Sequence, residues 1–138
     1  MEQHVQKCEI KKREAEVELR FLESVARRIP GDTEIMKALA ELYTEAGRYA
    51  EGLELDQQLS RVCPADPLSW YNLGCSFALV GRKDESVEAL SKAVEMGYDD
   101  YEWMKRDQDL AVLRDDPRFE SLLSWIYGAG VEEDEFLL

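Results

Sequence analysis

Histidine is almost missing from this chain: His4 is the single one, close to the start. A histidine-based triad needs its imidazole held beside a nucleophile by the fold, and this position is a poor one for that. His4 and Cys8 stand four apart and would share a helix face, but two ligands without a third fall short of a zinc site. Cysteine is scarce too. Cys8, Cys63 and Cys75 keep no disulfide or metal-motif spacing, and an odd count points to free thiols in a reducing compartment. No apolar run approaches the roughly 18 residues of a membrane span. The opening Met-Glu-Gln-His also lacks the basic-then-apolar order of a signal peptide, so the cytoplasm is the expected address.

Positive charge is the other shortage. Seventeen Lys and Arg stand against 30 Asp and Glu, a net charge of −13, which repels phosphate backbones and anionic headgroups. Nucleic acid and membrane surfaces are therefore not expected partners. Residues 1–29 hold seven basic and six acidic side chains (+1), leaving ten against twenty-four (−14) for residues 30–138. The glycines of Gly128-x-Gly130 have no strand before them to make a phosphate cradle. The acidic pairs Asp99/Asp100, Asp107/Asp109 and Asp115/Asp116 lie at or near expected helix starts, where carboxylates cap backbone amides. No catalytic residue, cofactor or metal is expected, and the chain reads as a non-enzyme.

What is present is a period. With 45% apolar and 34% charged residues in 138, the chain has the make-up of one folded domain. Residues 33–66 align without a gap on residues 67–100: Leu39 meets Leu73, Ala40 meets Gly74, Tyr43 meets Phe77 and Gly47 meets Gly81, while Pro30 and Pro64 share the interval of 34. Trp70, Leu73, Gly74 and Phe77 recur at i, i+3, i+4 and i+7, drawing one helix face, and Val87, Leu90 and Val94 draw another. Gly47 and Gly81 mark helix ends, and Asp66-Pro67 reads as an N-cap followed by the first helical residue.

On these residues the chain resembles the tetratricopeptide-repeat (TPR) family, in a small bacterial type. Trp70, Leu73, Gly74, Phe77, Ser86, Leu90 and Ala93 carry the resemblance best, and Leu39, Ala40, Tyr43 and Pro64 carry it in the earlier unit. The resemblance implies an all-α solenoid of antiparallel helix pairs, about seven helices in one domain over residues 1–127. Residues 1–32 would be a long N-terminal helix and half repeat, 33–66 and 67–100 full repeats, and 101–127 a degenerate capping repeat. Residues 128–138, with two glycines and four consecutive acids, read as a flexible tail, its final Phe-Leu-Leu an unanchored end or a docking peptide. Along residues 5–29 a seam of Val5, Cys8, Ala15, Leu19, Leu22, Ala26 and Ile29 marks the long helix. Its second half would pack, and its first half would overhang as a surface for weak self-association.

The resemblance also implies a concave groove for a peptide or helix of another protein. Carried over by register, the groove residues are Lys37, Glu41, Thr44, Leu68, Tyr71, Asn72, Cys75, Leu79 and Arg106. Tyr71, Cys75 and Leu79 would point away from the Trp70/Leu73/Phe77 face, open to a partner or covered by the N-terminal helix or the tail. Lys37, Asn72 and Arg106 match a clamp for peptide carboxylates, but Glu41 and Glu102 place acids where it needs an amide and a lysine. The expected function is a protein-binding scaffold, with a small acidic chaperone of type III secretion translocators as the alternative.

Overall fold

The computed structural model describes the backbone of residues 2–136 and the side chains of residues 3–128. It is all-helical among these: α1 Glu2–Arg28, α2 Thr33–Glu45, α3 Tyr49–Val62, α4 Pro67–Leu79, α5 Lys83–Glu95, α6 Tyr101–Arg106, a 3-10 helix η1 Gln108–Leu113, and α7 Pro117–Phe136. No helix among the described residues is long and apolar enough to cross a membrane. The chain divides into two compact units, one ending at Val62 and the other beginning at Cys63.

Local chemistry repeats at an interval of 34. Asp32, Asp66 and Asp100 each cap a helix: Asp32 accepts from the Glu34 and Ile35 amides at 3.0 and 3.1 Å, Asp66 from Leu68 at 3.0 Å, and Asp100 from Trp103 at 3.1 Å. The helix ends repeat as well. Gly47 and Gly81 have φ of +78° and +83°, a conformation that costs glycine little, and close their helices by the same bonds. The amide after each reaches back five residues, Arg48 to the Tyr43 carbonyl at 2.8 Å and Arg82 to the Phe77 carbonyl at 2.9 Å. Arg48 then forks onto Glu51 and lies 5.0 Å over the Tyr43 ring, and Arg82 forks onto Glu85 and lies 4.8 Å over Phe77.

In the first unit, α1 packs on α2 through Ala15 and Leu19, buried together with Leu39 and Leu42. Arg48 ties the same joint electrostatically, its guanidinium 3.8 and 3.9 Å from Glu16 and Glu23 of α1. Only the second half of the N-terminal seam is used. Every side chain from Gln3 to Glu14 is exposed, Val5 and Cys8 included, and Ile29 is half-exposed beyond the helix end.

In the second unit, α4 and α5 approach closely where Gly74 crosses Leu90 and Ser86. A Cβ on Gly74 would stand 2.7 Å from two Leu90 side-chain atoms, and the Ser86 hydroxyl donates to the Gly74 carbonyl at 2.7 Å. Leu90, Ala93, Met104, Leu110 and Leu113 are essentially solvent-free at the centre of this core. Trp70, which shares a helix face with buried Leu73 and Phe77, is only half-buried. Its indole N–H donates to the Pro64 carbonyl at 2.8 Å, which keeps the polar edge of the ring at the surface.

The C-terminal segment departs from expectation in two ways. The helical rhythm of residues 101–114 is two short pieces, because Asp107 turns out of α6 with extended backbone (φ −62°, ψ 119°) and its carboxylate caps η1 at the Asp109 amide, 3.0 Å away. The expected tail from Gly128 is, as far as Phe136, the continuation of α7. Glycine in a helix interior costs only about 1 kcal/mol relative to alanine, which weakens a helix without ending it. Leu137 and Leu138, the end of the Phe-Leu-Leu string, lie outside the described residues. Asp116-Pro117 starts α7 as expected, with Asp116 accepting from the Arg118 amide at 2.9 Å and paired with its guanidinium, which draws the carboxyl pKa down to about 2.

Candidate partner-binding pocket

The residues expected to line one groove have different surroundings. On α2, Lys37 pairs with Glu34 at 3.4 Å, Glu41 is exposed, and the Thr44 hydroxyl donates to its own helix at the Ala40 carbonyl, 3.1 Å away. On α4, Leu68 is 56% exposed and Asn72 is exposed, while Leu79 is half-buried. Tyr71 and Cys75 correct the expectation outright: they are 3% and 7% exposed and belong to the hydrophobic core. Tyr98 stacks on Tyr71 and Asp107 bonds both, so the chain's own return from Tyr98 to Asp109 covers them, which a helix-face argument on α4 alone has no means of seeing. Arg106 is exposed with its guanidinium 5.8 Å over the Trp103 ring.

The covering is chemically specific. The Tyr71 and Tyr98 rings stack at 4.3 Å and 4°. Asp107 accepts the Tyr71 phenol at 2.5 Å and the Cys75 thiol at 3.7 Å on one carboxylate oxygen and the Asp109 amide on the other. Burial, the Cys75 sulfur and Asp107 push the Tyr71 phenol far above the ordinary tyrosine range, and burial pushes the Cys75 thiol up in turn. Both keep their protons as donors. A neutral, buried thiol is the reverse of what a nucleophile needs. Cys75, Asp107 and Asp109 do put one ligand atom each within 4.8 Å of the others, the donor set of a cation site. In this structure Asp107 joins α4 to η1 as a hydrogen-bonded clamp, accepting from Tyr71, Cys75 and the Asp109 amide.

Asp109 sits at a cost. Its carboxyl is pushed up, first by burial and then by the charge of Asp107. A folded pKa above the unfolded one means the native state binds this proton more readily. Ionised Asp109 therefore opposes folding at neutral pH, and that opposition fades as pH falls through the folded value towards the unfolded one, about 3.9. Asp109→Asn should accordingly raise the urea midpoint at pH 7, with the gain shrinking to nothing below about pH 4. An equal gain at both pH values would show that charge is not its origin.

Beside this clamp is a pocket of about 500 Å³, lined by Pro67, Leu68, Tyr71 and Asn72 of α4, by Gly97 to Asp100 of the following loop, and by Trp103 of α6. Trp103 is 47% exposed, so two large apolar side chains, Leu68 and Trp103, stand at an open site above a floor made by the stacked tyrosines. Of the expected groove residues, Leu68, Tyr71 and Asn72 meet here. Tyr98, Asp99, Asp100 and Trp103 lie outside the expected set. The signal for them existed: Asp100 lies 34 after Asp66, which carries the helix-start register on to Trp103.

Fold and pocket together define an all-helical chain of paired helices with an aromatic pocket after its second pair. No family model matches the chain. It is similar to a chloroplastic protein of Arabidopsis thaliana, with 29% identity over 84 residues, 59% of this chain and 25% of that protein. The chain thus spans about a quarter of the curated relative it matches.

Proposed function

We propose that this chain is a non-enzymatic protein-binding module of TPR type, holding a segment of another protein at the pocket between α4 and α6. The observation that carries the reading is the pocket itself, in which Leu68 and Trp103 remain exposed over a built aromatic floor. Such a surface has the composition of an interface centre, where a few aromatic and aliphatic anchors supply most of the affinity. The TPR reading is supported by the caps and arginine forks repeated at an interval of 34 residues. A non-catalytic role is supported by Cys75, whose thiol is held protonated and out of reach.

Leu68→Asp combined with Trp103→Ala removes both anchors at exposed positions. Stability should change by less than about 1 kcal/mol, whereas affinity for a partner captured by the unmodified chain should fall by at least about 2 kcal/mol, roughly thirtyfold. Quantitative capture with both forms reads this directly. A variant that folds and retains the partner at full strength would place the binding surface elsewhere.

A further inference from the structure

Apolar and acidic side chains line the pocket together. Asp99 and Asp100 both line it, and neither joins an ion pair among the described residues. Asp100 spends part of one oxygen on the Trp103 amide, and no hydrogen bond to the Asp99 carboxylate occurs among the described residues. The nearest cations in sequence do not neutralise them: Lys105 lies 5.7 Å over Tyr101, and Arg106 lies over Trp103. The surrounding unit deepens the imbalance, since residues 63–138 hold seven basic and seventeen acidic side chains, 7 − 17 = −10. Low-dielectric walls strengthen such charges towards a cation that enters.

The walls discriminate among cations. Leu68 and Trp103 offer apolar surface to an aliphatic stem, and the Trp103 ring already takes a guanidinium on one side. A guanidinium stacks on aromatic faces and forks onto carboxylates, and it is more weakly hydrated than an ammonium, so it loses less on entering an aromatic pocket. We infer that the pocket receives an arginine side chain from a basic partner segment, its guanidinium on Asp99 and Asp100 and its stem between Leu68 and Trp103. The Asn72 amide oxygen is a further acceptor at the wall. A volume of about 500 Å³ is ample for one long side chain with part of its neighbour. This inference rests on the protein-binding reading and gives it a chemistry.

The test uses the full chain and two labelled glycine–serine decapeptides, one with two arginines and one with citrulline in their place. The peptides match in shape and differ in charge. Binding is followed by fluorescence anisotropy and by the Trp103 indole resonance, at low and at high salt. The arginine peptide should shift that resonance and bind about five- to tenfold more tightly than the citrulline peptide, with the gap closing at high salt. Asp99→Asn with Asp100→Asn should abolish the preference and leave unfolding unchanged, because asparagine caps a helix as well as aspartate does. If both peptides shift the resonance alike, if neither does, or if the preference survives in this double variant, the arginine inference is overturned. The protein-binding reading is judged separately, by whether the Leu68/Trp103 variant loses its captured partner.

Discussion

Tyr71→Ala should lower the unfolding free energy of the unit beginning at Cys63 by about 4 kcal/mol, the scale of a large-to-small truncation in a core. The expectation reverses what the position on α4 suggests by register alone. Three losses combine: a ring that is 3% exposed, its stack on Tyr98, and the donor that satisfies Asp107. Tyr71→Phe separates them. It keeps the ring and leaves the buried Asp107 carboxylate oxygen only the weak Cys75 thiol as donor, for about 1–3 kcal/mol. Asp107→Ala should cost about 2–4 kcal/mol, since it removes the η1 cap as well as the acceptor of Tyr71 and Cys75. Because Tyr71 and Asp107 touch, the double variant should lose less than the sum, by about 1 kcal/mol or more. Trp70, Trp103 and Trp125, all the tryptophans of the chain, lie in this unit, so urea titration by tryptophan fluorescence reads it selectively. A loss under about 1 kcal/mol for Tyr71→Ala would mean that the ring is on a surface after all.

Gly74→Val should cost about 3 kcal/mol, against the direction that helix propensity predicts. Glycine inside a helix normally gains from acquiring a side chain. Here the first added carbon would meet Leu90 at 2.7 Å and the Ser86 carbonyl at 3.3 Å, and Leu90 has no free space to retreat into because it is fully buried. Gly74→Ala should be milder but still destabilising, by about 1–2 kcal/mol. The diagnostic is rescue. Leu90→Ala alone should cost about 2–5 kcal/mol, but added to Gly74→Val it should cost far less, because the valine fills part of the cavity it opens. Additive losses in the double variant would show that the two residues do not oppose one another.

Much of the architecture is legible because it is written in local chemistry. An aspartate before a helix, a glycine after one and apolar residues at i, i+3, i+4 and i+7 act within a turn or two of chain, so their positions in sequence are their positions in space. The starts of α4 and α7 at Asp66 and Asp116 and the stops at Gly47 and Gly81 follow from this. The repeat of Arg48/Glu51/Tyr43 as Arg82/Glu85/Phe77 is equally readable and lies in the same 34-residue register. The break at Asp107 is different. Nothing within α6 stops the helix; the turn is held by a carboxylate whose other partners, Tyr71 and Cys75, lie 36 and 32 residues earlier.

The sequence by itself therefore determined that the chain is all-helical and where several of its helices begin and end, since these depend on periodicity and capping between chain neighbours. It also determined the net charge of −13. Only the tertiary structure decided which faces stay open. Tyr71, Cys75 and Leu68 share one helix, yet the first two are closed over by Tyr98 and Asp107 while Leu68 stays in water beside Trp103. Register along a helix says which way a side chain points. Whether another segment returns to cover it is settled by long-range packing, which no local pattern encodes.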